Sequence, residues 1–173
     1  GDFYIADGYG LGYIHQYTKD ATYVRTWGGK GSGPGKMNCC HGIHIDTRGE
    51  KPEIVVADRA NVRLQYFDLE GNHLRFVTND LLHPCHFDQR GTDLLIPDLY
   101  GRVTIFDKNN SLIAHVGTTP DANKIDKWPD IAREKRIPGK FTSPHDAIWD
   151  HDGNLYCVEW IPEGRVTKFR RVS

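Results

Sequence analysis

The chain is short of cysteine, methionine and net charge, and it has no long apolar run. Each shortage closes off a class of protein. Four cysteines in 173 residues (Cys39, Cys40, Cys85 and Cys157) are too few for a disulfide framework, and the adjacent Cys39 and Cys40 could pair with each other only at considerable strain. All four are read as reduced thiols. No apolar stretch approaches the roughly 20 residues that a membrane helix needs, and the opening Gly1-Asp2-Phe3-Tyr4 lacks the basic and apolar regions of a signal peptide. A water-soluble chain with no membrane partner is expected, its compartment left open. Lys plus Arg (22) nearly cancels Asp plus Glu (23), so no broad basic face is implied and nucleic acid is not an expected partner. The length suits one folded unit, 1–173, with a core of its own.

What the sequence does have is a repeat. The segments starting at His41, His83 and His145 each carry Asp five residues later (Asp46, Asp88, Asp150) and Gly three residues after that (Gly49, Gly91, Gly153). Each is followed by a short β-rich run ending in an acid, Ile54 to Asp58, Leu94 to Asp98 and Leu155 to Glu159. A third run alternates apolar and polar residues, from Val62 to Phe67, Arg102 to Phe106 and Arg165 to Phe169, which is strand patterning. A fourth follows at His73 to Val77 and Leu112 to Val116, and turn-forming residues such as Asp68 to Gly71 and Asp107 to Asn110 lie between runs.

Four short antiparallel strands repeating every ~40 to 50 residues are the mark of β-propeller blades. The expected fold is therefore all-β: two whole blades, a partial one opening at Phe3 to Asp7, which matches a second run, and another ending after its third run near Val172. So few blades do not close a ring alone. Either self-association into a homo-oligomer or a further N-terminal part is expected to complete it. One insertion, 117–143, interrupts the pattern; Pro129 is suited to a first helical turn, and Trp128 and Ile131 suggest that the loop packs, as a lid over one face.

The repeat places His41, His83 and His145 at equivalent positions, at the start of the innermost strand. Three imidazoles facing one axis could bind Zn²⁺ or a similar ion and leave a position open for water or substrate. The alternative is that each His caps a strand. Cys40 and Cys85 are rival ligands, and His44 and His86, three residues further on, are expected to turn to the opposite face and pack.

Ala6-Asp7-Gly8-Tyr9, the His41-Gly42-Ile43 strand, Val56 to Gln65 with its Ala57-Asp58-Arg59, and Ser143-Pro144-His145-Asp146 together resemble the catalytic core of peptidyl-α-hydroxyglycine α-amidating lyase. That family is a six-bladed propeller of NHL-type repeats that cleaves a carbinolamide to an amide and glyoxylate. The resemblance implies that His41 and His145 are zinc ligands, that Tyr9 is the catalytic base, that Arg59 contacts the substrate carboxylate and that Asp146 helps to bind a structural Ca²⁺. The family's third zinc histidine lies in an earlier blade, and His83 is expected to replace it. A further substrate-binding arginine has no counterpart, and the family's disulfide cysteine after the tyrosine is Gly10. Tyr9 also has a plain reading as a packing aromatic, with Tyr100 in the same place relative to Asp98, and Arg59 one as an ion-pair partner of Asp58 or Asp7.

The expected function is a metal-dependent enzyme, lyase-like or a hydrolase, acting on a small-molecule or peptide substrate. An open metal site would also admit promiscuous ester, lactone or phosphotriester hydrolysis. The alternative from a different class is a non-catalytic NHL protein-binding module, which would hold no metal.

Overall fold

The computed structural model describes residues 1–172 and consists almost wholly of antiparallel sheet. It divides into two compact units, Gly1–Asn79 and residues 80–172. The first unit holds a three-stranded sheet, β1 (Phe3–Ala6), β2 (Tyr13–Tyr17) and β3 (Tyr23–Gly28), and a four-stranded sheet, β4 (Cys40–Asp46), β5 (Glu53–Asp58), β6 (Arg63–Phe67) and β7 (His73–Val77). The second holds a four-stranded sheet, β8 (Asp88–Arg90), β9 (Asp93–Asp98), β10 (Arg102–Phe106) and β11 (Leu112–Val116), and a three-stranded one, β12 (Pro144–Trp149), β13 (Leu155–Glu159) and β14 (Arg165–Phe169). These are two whole and two partial blades, in the order that the repeat implies. Among the described residues no helix is long and apolar enough to cross a membrane.

Burial explains why the runs differ in pattern. The second strands β5 and β9 lie between two neighbours and are buried on both faces, so they read as unbroken Ile-Val-Val-Ala and Leu-Leu-Ile-Pro. The fourth strands β7 and β11 are sheet edges, half-exposed and more polar. Within the first unit the two sheets pack through Ile14, Met37, Cys40, Ile54, Val56 and Phe67. Within the second they pack through Leu95, Val103, Phe141, Ala147, Leu155 and Cys157.

Hairpins close on aspartates. Asp68 accepts the backbone N–H of Glu70 (3.0 Å) and Asn72 (2.8 Å), and Asp107 does the same for Asn109 and Ser111, both at 2.8 Å. Gly71 completes the first of these turns at φ +88°, where a Cβ would come within 2.6 Å of the Trp27 ring, so no other residue fits without displacing that indole. The insertion forms two 3-10 turns, Ala122–Lys124 and Arg133–Lys135, on either side of Pro129. The helical turn expected to start at Pro129 itself does not form.

A second device recurs in three sheets. The acid that ends each second strand is buried, at 0% exposure for Asp58 and Asp98 and 6% for Glu159. Each accepts backbone N–H groups from the loop entering its blade: Asp58 from Asn38 (2.7 Å), Asp98 from Leu82 (3.0 Å) and His83 (2.8 Å), Glu159 from Thr142 (2.6 Å) and Ser143 (3.2 Å). An arginine opening the third strand binds each acid in turn, Arg63 on Asp58 (2.7 Å), Arg102 on Asp98 (3.3 Å) and Arg165 on Glu159. The same arginines donate to loop carbonyls at Lys36 (3.1 Å), Asp80 (2.7 Å) and Lys140 (2.9 Å).

Removing one member strands a buried cation, so Asp58→Ala is expected to lower the unfolding free energy by about 3–5 kcal/mol, read from the urea midpoint. Asp46 is buried under Arg48 (2.6 Å) and Tyr66 (3.2 Å). Burial alone would raise its pKa, but the Arg48 hydrogen bonds outweigh it and hold the carboxyl below its usual 3.8. A depressed carboxylate stabilises the fold above its unfolded value and loses that contribution as pH falls through the folded one. Wild type should therefore lose more stability than Asp46→Asn between about pH 6 and pH 3; equal losses would contradict this role.

Candidate functional site

The anchored acids fix the register of each first strand, and the register decides which residue occupies the candidate ligand position. Opposite the acid stand Cys40 (on Asp58), Pro84 (on Asp98) and Pro144 (on Glu159). In each blade one extra residue then bulges before regular pairing resumes, giving His44 opposite Val55, Asp88 opposite Leu95 and Ile148 opposite Tyr156. The residue after the acid's partner is therefore His41 in one blade, Cys85 in the next and His145 in the last.

This corrects the place of His83, which is equivalent to Cys39 and Ser143 and not to His41 and His145. The cause is a short hairpin. Arg90 pairs with Asp93 across two residues, whereas Asp46 pairs with Glu53 and Trp149 with Leu155. Alignment on Asp88 and Gly91 therefore set this blade two residues out of step.

In the second unit the structure brings Cys85 and His145 together, with Sγ and an imidazole nitrogen within 4.8 Å. Cys85 is buried and held by its N–H on Pro97 O (2.9 Å), and its thiol donates to His83 O at 3.6 Å. The His83 ring stacks on Tyr100, with centroids 4.6 Å apart and planes 12° from parallel. His86 does not simply pack, as its strand offset implied: Nδ1 lies 2.8 Å from Asp146 Oδ1. The bulge is why, since it breaks the strict alternation on which that reading relied. The Asp146 hydrogen bond raises the His86 pKa against the opposing effect of burial. Burial would push Asp146 up, but His86 holds it below its usual value. Asp146 also accepts the Ala147 N–H at 2.8 Å. Among the described residues it belongs to no group of three or more His, Cys, Asp or Glu ligand atoms.

In the first unit Tyr9, Arg59, His41 and Cys39 form a second cluster. Arg59 sits in a 3-10 turn, Arg59–Asn61, and is 6% exposed. Its Nη2 donates to Tyr9 Oη at 2.7 Å and approaches Cys39 Sγ at 3.3 Å, while its guanidinium lies 5.2 Å from the centre of the Tyr9 ring. Tyr9 meets the His41 ring edge-on, with centroids 5.9 Å apart and an 89° interplanar angle. At 78% exposure Tyr9 is not a packing aromatic. The arginine on Asp58 is Arg63, and the Arg59 fork reaches the tyrosine and the thiol. Cys40 stands opposite Asp58 in the core of this unit and donates its thiol to Asp7 at 3.4 Å; burial, followed by that bond, pushes the thiol up to about 12. Cys39 was not foreseen; its place before the acid's partner emerges only once the register is known.

The two clusters offer distinct chemistry. Imidazole and thiolate donors suit zinc and other borderline or soft metals. A phenol held by a guanidinium and open to water can exchange a proton with a bound molecule.

No family model matches the chain. It is 26% identical over 196 residues to peptidyl-alpha-hydroxyglycine alpha-amidating lyase 1 of Drosophila melanogaster, an alignment covering 98% of this chain and 33% of that protein. It is 37% identical over 70 residues to NHL repeat-containing protein 3 of Homo sapiens, covering 39% of this chain and 19% of that one. Among solved structures, virginiamycin B lyase from Staphylococcus aureus matches with a TM-score of 0.63 at 12% identity, over 100% of this chain and 53% of that one, a likeness of fold alone. The chain thus spans about a third of the amidating lyase and about half of the virginiamycin lyase. Repeat, sheet order and these likenesses agree: the chain is built of NHL-type β-propeller blades and resembles the core of the peptidyl-α-hydroxyglycine α-amidating lyases.

Proposed function

We propose that the chain supplies the active-site blades of a metal-dependent propeller lyase acting on a small-molecule or peptide carbinolamide that bears a carboxylate. The observation that carries this reading is the register: His41, Cys85 and His145 each follow the residue paired with an anchored acid. Cys85 and His145 already hold ligand atoms within 4.8 Å. We assign Cys85 and His145 as ligands of Zn²⁺, with Cys85 in the role expected of His83, and His41 as the residue at the same register position in the first unit. Such an ion, when bound, polarises a substrate oxygen.

The proton-transfer and carboxylate-binding roles belong to Tyr9 and Arg59. Tyr9 takes a proton from the substrate hydroxyl. Arg59, already donating to that phenol oxygen at 2.7 Å, stabilises the phenolate form that accepts the proton. Its planar fork can also grip a substrate carboxylate. His86 holds Asp146 beside His145. Calcium, for which the lyase resemblance offers Asp146, would need several further oxygen ligands. The exposed apolar faces of the first sheet (Phe3, Ile5) and the last (Ile148, Val158, Val166) are surfaces that neighbouring blades cover, supplied by a second copy of the chain or by a further N-terminal part.

Zinc titration of chelator-stripped protein by calorimetry tests the ligand set. Wild type should bind one ion per site, Cys85→Ala and His145→Ala should weaken binding by more than about 100-fold, and His83→Ala by less than about tenfold. The zinc-loaded wild type should release glyoxylate from an N-acyl-α-hydroxyglycine. A wild type that binds no zinc, or a His83→Ala loss equal to that of Cys85→Ala, would overturn the assignment.

A further inference from the structure

The insertion 117–143 contributes no metal ligand and no proton-transfer group, yet it is firmly held. Trp128 anchors it, with Nε1 donating to Thr142 O at 2.9 Å. The Trp128 ring meets Tyr100 edge-on with centroids 5.5 Å apart, and Trp160 at 6.3 Å. Because Tyr100 also stacks on His83 at 4.6 Å, four rings run in series: His83, Tyr100, Trp128 and Trp160. Both ends of this wall are tied to the ligand-bearing segments. The His83 carbonyl accepts the Cys85 thiol at 3.6 Å, and the Trp160 N–H donates to Ser143 O at 2.8 Å, two residues before His145.

The wall is not closed over. Trp160 is 56% exposed, and His83, Tyr100 and Trp128 are half-buried. Edge-to-face neighbours leave ring faces and edges available to a further ring. A cationic guest would want free negative charge, but the acids that precede Tyr100 and Trp160, Asp98 and Glu159, are buried and bound to Arg102 and Arg165 and offer none beside those two rings. A neutral planar guest has no such requirement.

We propose that His83, Tyr100, Trp128 and Trp160 form the specificity subsite of this lyase, taking an aromatic group on the acyl side of the reacting carbon. This rests on the reading that Cys85 and His145 mark the reactive end. It explains the insertion as the segment that delivers Trp128, and it gives His83 a role once the register has removed it from the ligand set.

The test compares two N-acylglycines that lack the carbinol hydroxyl and so are not cleaved: N-benzoylglycine, which carries a ring, and N-acetylglycine, which does not. Dissociation constants are measured by ligand-observed NMR on the stripped and the zinc-loaded protein. Wild type should bind the benzoyl compound at least about tenfold more tightly. Trp160→Ala, at a position exposed enough to leave folding intact, should bring the ratio to within about twofold, and Trp160→Phe should keep most of it. Equal affinity for the two compounds in wild type, failure of both to bind, or a ratio unchanged in Trp160→Ala would each overturn the subsite. A ring preference that persists in a protein unable to bind zinc would leave the wall standing and remove the metal reading.

Discussion

In three of the four sheets a buried carboxylate at the end of the second strand gathers the incoming loop, and an arginine from the third strand holds it there. Asp58, Asp98 and Glu159 each take backbone N–H donors from one side and a guanidinium from the other. A buried charge is tolerable only when it is paired and hydrogen-bonded, so the loop cannot shift by one residue without leaving a charge or a donor unsatisfied. The anchor therefore acts less as glue than as a register lock. What it locks is the residue directly after the acid's partner, the position from which a side chain can be offered to a bound ion.

The strands were legible in the sequence because their burial is. Doubly buried β5 and β9 read as continuous apolar runs and the third strands as alternations, and both patterns survive in a single sequence. Register was not legible in the same way, because it depends on loop length. A two-residue turn between Arg90 and Asp93 displaced the Asp88 and Gly91 landmarks and made His83 look like the partner of His41 and His145. The signal that would have corrected this was present. Each second-strand acid is followed within four to six residues by an arginine (Asp58 and Arg63, Asp98 and Arg102, Glu159 and Arg165), and counting back from that pair gives the register directly.

Side-chain roles divided along the same line. Tyr9 and Arg59 were found by motif, but their direct bond at 2.7 Å and the thiol of Cys39 at 3.3 Å belong to the tertiary structure. His86 was misread because a bulge resets strand alternation. In the insertion, Trp128 was expected to pack, and it does so against Tyr100, an aromatic drawn from the hairpin that directly follows an anchoring acid. The locked loops thus position the candidate ligands and the ring surface beside them by one device.

The proposed thiolate ligand, in place of a third histidine, is where this chain would differ most from the lyases it resembles. X-ray absorption at the zinc edge measures it directly. With Cys85 as a ligand, one sulfur should appear at about 2.3 Å together with nitrogen or oxygen neighbours at about 2.0 Å. A first shell of nitrogen and oxygen alone would contradict it and return the third position to a histidine or to water.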